Sequence, residues 1–181
     1  MISLQHNINE VIKEFQRLQQ NTIKAEVSAN KKIAQQTRTQ IVKMARERYN
    51  IKASDAKDGV EVKHGTGNSP TSRIEFSTKP IPLFRFGARQ SKPGASVMVI
   101  KGRRVVIKRS FIPKLGTTYE NVFVRERDGW KLVGRLPIKK LYGPSPAKMM
   151  FNKNAMTSAL AFITAKWDNI YSHELEYYHG K

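Results

Sequence analysis

The strongest constraint on the fold is the absence of glycine and proline from residues 1–58. Both residue types interrupt helices, and within this stretch apolar residues recur at steps of three and four, which places them on one helical face. The spacing is followed first by Ile8, Val11, Ile12, Phe15 and Leu18, and then by Ala29, Ile33, Thr37, Ile41, Met44 and Ala45. Residues 1–50 are therefore predicted to form one long helix or two helices that meet near Asn21. The apolar stripe is either part of the core or an interface with a partner.

The pattern changes from Val60 onward to short β-branched runs separated by Gly, Pro and polar turns. These runs read VEV, SRIEFS, SVMVI, RRVVIKRS and ENVFVRE. Hairpins are expected around Lys101-Gly102 and around Asp128-Gly129. Residues 79–96 contain three prolines, which remove the donors that a central strand needs. This segment is expected to be an irregular loop or an arm.

The C-terminal region is predicted to be helical again. Its apolar stripe consists of Met156, Leu160, Ile163, Trp167, Ile170 and Leu175, and Gly180 marks the end. The fold class is therefore α+β, with a long N-terminal helix or helix pair, an antiparallel β meander and a C-terminal helix. We expect a single domain over residues 1–181, made of a helical region (1–50), a β region (60–143) that includes the arm 79–96, and a C-terminal helical region (144–180).

The stretch GRLPIKKLYGPSPAKMM joins the last two regions. Pro137 argues against a central strand, so residues 136–142 are expected to form an edge strand or an extended connector. Pro144 fixes its own φ and biases Gly143 away from helix, whereas Pro146 suits the first turn of a following helix. The stretch is thus predicted to be a rigid corner.

The charge is strongly basic and concentrated in one region. The formal net charge is +19, and residues 85–153 hold 17 Lys or Arg against 3 acids, a local balance of 17 − 3 = +14. Such a surface attracts polyanions, with weak, salt-sensitive binding that has no sequence preference. Contact with DNA or with an acidic protein is equally compatible with it. The candidate residues are Arg103, Arg104, Lys108, Arg109, Arg125, Arg127, Lys139 and Lys140.

The sequence offers little for catalysis. There is no cysteine, so thiol nucleophiles, disulfides and thiolate metal sites are excluded. The tail HELEYYH departs from the HExxH spacing of helical zinc sites, because Tyr177 stands where the second His is needed. Residues 85–153 also lack the clustered carboxylates that would hold a nuclease metal pair. We expect no enzyme activity, no metal and no cofactor.

No apolar run approaches the roughly 18 residues that a membrane-spanning helix needs, and the N-terminus lacks the basic start and apolar block of a signal peptide. The chain is expected to be made, and first to act, in the cytoplasm, without a membrane partner.

The segment from Ser110 to Ser145 resembles the minor tail protein Z family, the tail completion proteins of lambda-like long-tailed phages and prophages. The resemblance depends on the order and spacing of several motifs, which are Phe111-Ile112, Val122-Phe123-Val124-Arg125, Leu136-Pro137-Ile138 and Tyr142-Gly143-Pro144-Ser145. The helical N- and C-terminal regions are similar to the layout of that family. The resemblance is weakest over residues 51–96.

This resemblance implies a structural virion protein at the head-proximal end of the tail, where it makes the tail competent to join a filled head. It implies a homo-oligomer, a ring of six copies that follows the symmetry of the tube. The neighbours would be the tail terminator or tail tube protein, the head-neck proteins and the genomic DNA in the channel. Assembly would take place in the host cytoplasm. The alternative reading is a cytoplasmic protein that binds nucleic acid without sequence specificity.

Overall fold

The computed structural model describes residues 2–67, 69–113, 121–125, 127–128, 131–132, 138–151 and 153–180. The fold is α+β, as predicted. The helices are α1 (Ile2–Arg48), α2 (Ala53–Lys57), α3 (Pro146–Met150) and α4 (Lys153–His179), with a 3-10 helix at Leu83–Phe86. The strands are β1 (Val60–Lys63), β2 (Arg73–Phe76), β3 (Arg89–Ser91), β4 (Gly94–Ile100), β5 (Arg103–Lys108), β6 (Ser110–Phe111), β7 (Phe123–Arg125), β8 (Arg127–Asp128), β9 (Lys131–Leu132) and β10 (Ile138–Lys140).

The N-terminal region is one helix of 47 residues, so the first of the two predicted alternatives is confirmed. The second set of stripe residues is largely buried, with Ala29 at 0%, Ile33 at 5% and Thr37 at 1% exposure. The first set behaves differently, because all five of its side chains are between 37% and 72% exposed. One continuous helix therefore carries both a core face and an uncovered apolar face.

The chain divides into two compact units. The first unit comprises Met1–Thr39, Val62–Glu75 and Thr157–Lys181, and the second comprises Gln40–Glu61 and Phe76–Met156. The single domain over residues 1–181 stays a prediction.

In the first unit, α1 and α4 are held together by polar contacts. The Lys32 ammonium donates to the Glu174 carboxylate, which is buried at 3% exposure. Ten residues earlier on α1, Thr22 Oγ1 lies 3.1 Å from Nε2 of His179. Because the lower-numbered residue of α1 meets the higher-numbered residue of α4, the two helices are antiparallel.

The predicted stripe of α4 is wrong at one position. Leu160 is 62% exposed, whereas its neighbour Ala159 is buried at 4% exposure. Ile163, Trp167, Ile170 and Leu175 are half-buried, as the stripe requires. The covered face is thus rotated toward Ala159, since a small side chain lets a neighbouring element approach more closely than leucine does.

The second unit contains two three-stranded antiparallel sheets. One has the order β3-β4-β5, and the other the order β10-β7-β6. The hairpin predicted at Lys101-Gly102 joins β4 to β5, with Ile100 paired to Arg103 and Gly102 at φ 77°. The strands β8 and β9 form the second hairpin, in which Asp128 pairs with Lys131; Gly129 and Trp130 of its loop lie outside the described residues.

The expectation of an irregular loop or an arm at residues 79–96 is wrong. This segment contains the 3-10 helix, β3 and the start of β4, and Phe86 is fully buried. The prolines are accommodated because neighbouring backbone groups are satisfied elsewhere: Leu83 N–H donates to Leu141 O at 3.2 Å, and Ile81 O accepts from Gly143 N–H at 2.8 Å. The segment is a fixed part of the second unit.

The corner between the β region and the helical C-terminus forms as predicted. Strand β10 is the outer strand of its sheet, so it is an edge strand. Ser145 caps α3, accepting from Lys148 N–H at 3.3 Å, and Pro146 stands in the first turn. Pro137 lies outside the described residues.

Candidate polyanion site

A basic cavity opens where the two sheets of the second unit meet. Its volume is about 360 Å³. Among the described residues that line it, nine in number, four are cationic and none is acidic; the cations are Lys92, Lys108, Arg109 and Arg125. All four side chains are exposed, so their charged groups face solvent at the rim. This cluster is called the basic cavity below.

The backbone around Arg109 brings three of these cations together. Arg109 is the single residue between β5 and β6, and its φ of 64° lies in the left-handed region. This conformation turns the chain sharply out of one sheet and into the other. The Arg109 N–H donates to Pro93 O at 2.9 Å, which holds the turn against the loop that carries Lys92.

Ser110 stabilises the same turn between β5 and β6 through hydrogen bonds on its buried side. Its hydroxyl donates to Ile107 O at 2.6 Å and accepts from Ala95 N–H at 2.9 Å. The side chain is buried at 4% exposure and both bonds go to the protein backbone. Ser110 therefore orders the cavity wall and is not placed as a nucleophile.

Aromatic stacking positions the fourth cation. The Cζ atom of Arg125 lies 5.4 Å from the ring centroid of Phe111, and this ring stacks on Phe123 at 6.0 Å. A guanidinium that rests on an aromatic face keeps its N–H edge available for a bidentate contact with phosphate or carboxylate. The strands place these residues directly, since Phe111 pairs with Phe123 across β6 and β7.

The structure brings together three of the eight cations predicted from sequence: Lys108, Arg109 and Arg125 line the basic cavity. Arg104 has another role, because its Nη1 donates to Gly87 O at 3.2 Å and to the Ser96 carbonyl and hydroxyl oxygens at 3.3 and 3.2 Å. Arg103 is exposed at the hairpin end of β5.

The remaining three predicted cations lie outside the cavity lining or outside the described side chains. Lys139 and Lys140 are on the edge strand β10, paired with Val124 and Phe123, and both are exposed. The backbone of Arg127 belongs to β8, and its side chain is outside the described residues.

Sequence reasoning missed Lys92. The signal that could have found it is the Lys92-Pro93-Gly94 turn, because Gly94 begins β4 and pairs with Lys108. A cation two residues before a strand therefore lies beside a cation at the end of the neighbouring strand.

The residues that carry the family resemblance lie close to this site. Phe111, Phe123, Arg125 and Ile138 belong to the sheet β10-β7-β6, with Ile138 paired to Arg125. The motif then leaves the sheet along Tyr142, Gly143, Pro144 and Ser145, with Tyr142 bridged to Pro82 and Pro144 O accepting from Ile81 N–H at 3.5 Å. The sheet β10-β7-β6 thus contributes to one wall of the basic cavity and contains several of the motif residues.

The described part of the chain contains no group of three or more His, Asp or Glu side chains that could hold a metal ion. No helix among the described residues is both long and apolar enough to cross a membrane. The described lining of the basic cavity offers guanidinium and ammonium groups, which are the donors that suit an anion.

Comparison with known proteins identifies no family. No protein-family model matches the chain, and neither a curated protein nor a solved structure matches it.

Proposed function

We propose that the chain is a structural virion protein, a tail completion subunit at the head-proximal end of a phage tail that enables the tail to join the head. The observation that carries this proposal is the coincidence of the basic cavity with the motif residues Phe111 and Arg125. Phe111 and Arg125 of the motif both line the basic cavity, and Arg125 also belongs to the basic residues identified from the sequence.

The ligand that suits the basic cavity is phosphate of the DNA backbone. Four cations in the described lining attract a polyanion, and the stacked guanidinium of Arg125 is suited to a phosphate oxygen pair. Contacts of this kind release counterions and carry no sequence information. That is the behaviour required of a subunit that meets whichever genome end enters the tail channel.

The proposed partners follow from the same assignment. Copies of the chain would form a ring, and the tail tube or terminator protein and the head-neck proteins would contact its two sides. Closed rings need head-to-tail interfaces between identical subunits, which require surfaces that an isolated chain leaves uncovered.

The location can be tested by immunogold labelling of purified particles from the phage or prophage that encodes the chain. Label is expected at the head-proximal end of the tail. Label along the whole tube or at its distal tip, or particles without label, would contradict the proposal.

The role of the basic cavity is tested by a triple variant, Lys108→Gln, Arg109→Gln and Arg125→Gln. Loss of three of the four cations is expected to leave filled heads and complete tails unjoined in electron micrographs. The matched control is Lys101→Gln, which removes an exposed cation of the same unit outside the cavity and should join normally. Normal joining in the triple variant would remove the cavity from the mechanism.

The second candidate is a free cytoplasmic protein that binds nucleic acid, and the same cavity favours it. The two candidates differ in affinity and salt dependence, measured by fluorescence anisotropy of labelled duplex and single-stranded DNA. A tail subunit should bind weakly and lose binding steeply as salt rises. Tight binding by a monomer or dimer at moderate salt would favour the free DNA-binding protein.

A further inference from the structure

The uncovered apolar face of α1 carries the inference, and its position explains why it is uncovered. Helix α4 ends at His179, whose ring lies 3.1 Å from Thr22. Residues 2–21 of α1 therefore continue past the end of their antiparallel neighbour. At a rise of 1.5 Å per residue, this extension is about 30 Å long.

The exposed face continues the face that is buried farther along the same helix. Ile8, Val11, Phe15 and Leu18 follow a three-four spacing that runs on through Thr22, Ala25 and Ala29. Ala25 and Ala29 have 0% exposure, whereas Phe15 is 72% exposed. The two sets form one apolar stripe along α1, called the seam below. The seam is buried after residue 22 and exposed at Ile8–Leu18.

The extension is poorly suited to stand alone. Its sequence contains several β-branched residues and asparagines, which are weaker helix formers than Ala, Leu or Glu. In proteins most of the stability of a helix comes from packing of its apolar face and less from the propensities of its residues. The open surface of the helix between Val11 and Thr22 supplies such a face.

We propose that the seam Ile8–Leu18 binds the same seam of a second copy of this chain, helix against helix. Apolar residues at steps of three and four let a helix pack against another helix, including one of identical sequence. A seam that binds its own counterpart is a two-fold contact between two copies, so it is separate from the head-to-tail interfaces of the proposed ring and does not depend on the proposed function.

The charge of the segment favours a second copy over a polyanion. Residues 8–22 contain two acids, Glu10 and Glu14, and two bases, Lys13 and Arg17, in a chain whose net charge is +19. Two copies that meet here bring no net charge together, whereas contact through the basic regions would repel. A polyanion finds no excess positive charge on this surface.

The exposed area of the seam is at the lower limit for a specific interface. With on the order of 200 Å² on a large apolar side chain, five that are about half exposed leave roughly 500 Å² uncovered per copy. Two copies would then bury about 1,000 Å², the lower bound for a specific protein interface.

The test compares the full-length chain with the double variant Phe15→Gln and Leu18→Gln by sedimentation equilibrium. The wild type is expected to form dimers or larger assemblies. The variant is expected to raise the self-dissociation constant at least about tenfold, because two buried apolar side chains are lost. Gln20→Ser, on the opposite face of the helix, should assemble as the wild type does.

Cross-linking locates the contact, because the chain has no cysteine of its own. Phe15→Cys is expected to give covalent dimers with a short bismaleimide, and Gln20→Cys is not. A wild type that is monomeric at the highest concentration tested overturns the proposal, including the case in which it binds a different protein through this seam. Equal assembly of the double variant and the wild type overturns it as well. Neither result bears on immunogold labelling, so the two proposals fail separately.

Discussion

Gly143 occupies a position that leaves no room for a larger residue. A Cβ atom added there would lie 2.5 Å from Cε2 of Phe86, whose ring is fully buried. The glycine of the Tyr-Gly-Pro motif is therefore required by packing, since its φ is not in the left-handed region. The close approach also lets the Gly143 N–H reach Ile81 O.

Replacing Gly143 with alanine is expected to destabilise the protein by about 1–3 kcal/mol, because Phe86 or the backbone must move to admit a methyl group. Urea unfolding followed by far-UV circular dichroism measures the change. Gly67→Ala is the matched control, since its added Cβ would have only Ile23 Cγ2 within range, at an ordinary 3.9 Å. Equal stability of both variants would show that the contact with Phe86 is easily relaxed.

The roles of individual cations are harder to infer from sequence than their location. The excess of Lys and Arg identified the region that contains the basic cavity. It did not show that Arg104 donates to the backbone of Gly87 and Ser96, or that Arg85 pairs with the buried carboxylate of Asp55. These roles depend on which backbone oxygens and acids the fold brings near, and a charge count contains no such information.

Among the elements, the helices and the first hairpin were the most predictable. An uninterrupted three-four spacing determined α1, and Lys101-Gly102 between two β-branched runs determined the β4–β5 turn. The segment 79–96 was not predictable, because its order depends on hydrogen bonds to residues 141–144, about sixty positions later in the chain. Local composition correctly places prolines outside central strands, but it does not distinguish a free arm from a docked one.

The pairing of α1 with α4 depends on an ionised carboxylate. Burial raises the pKa of Glu174, but hydrogen bonds from Lys32, Ser28 and His173 and the charge of Lys32 outweigh it, so the pKa lies below its usual value. A carboxyl group whose pKa is lower in the folded chain than in the unfolded one stabilises the fold above the unfolded pKa. That contribution is lost as pH falls through the folded pKa.

Wild-type stability is accordingly expected to fall as pH drops below the ordinary carboxyl range, and Glu174→Gln should flatten this part of the profile. Urea midpoints measured between neutral and acidic pH give the comparison. Lys32→Gln should weaken the same dependence, because it removes the strongest partner of the carboxylate. A profile unchanged by Glu174→Gln would show that other carboxylates govern the acid transition.

At the scale of the whole molecule, the C-terminal helix α4 contributes buried residues to the first unit. Its 27 residues bring Ala159 and Glu174 to buried positions in the unit that also contains Ala29 and Ile33 of α1. Without α4, Lys32 and Thr22 of α1 would lose their partners Glu174 and His179.

Ending the chain at Asn154 is expected to give a protein that binds a hydrophobic dye strongly and aggregates, because the first unit loses nearly all of α4, including the buried Ala159 and Glu174. Dye fluorescence and light scattering measure this. Ending the chain after His179 keeps all of α4 and should behave as the full chain does. A monodisperse Asn154 truncation with its remaining helix intact would show that α4 is dispensable for folding.

The left-handed backbone at Arg109 has a consequence for how the sequence of this site can vary. A non-glycine residue with φ of 64° costs about 1 kcal/mol relative to glycine. Glycine would relieve that strain and remove a cation from the basic cavity, whereas lysine would keep the charge and the strain. No residue at position 109 can therefore have both the lowest conformational strain and a positive charge, and the arginine found there keeps the charge at the cost of the strain.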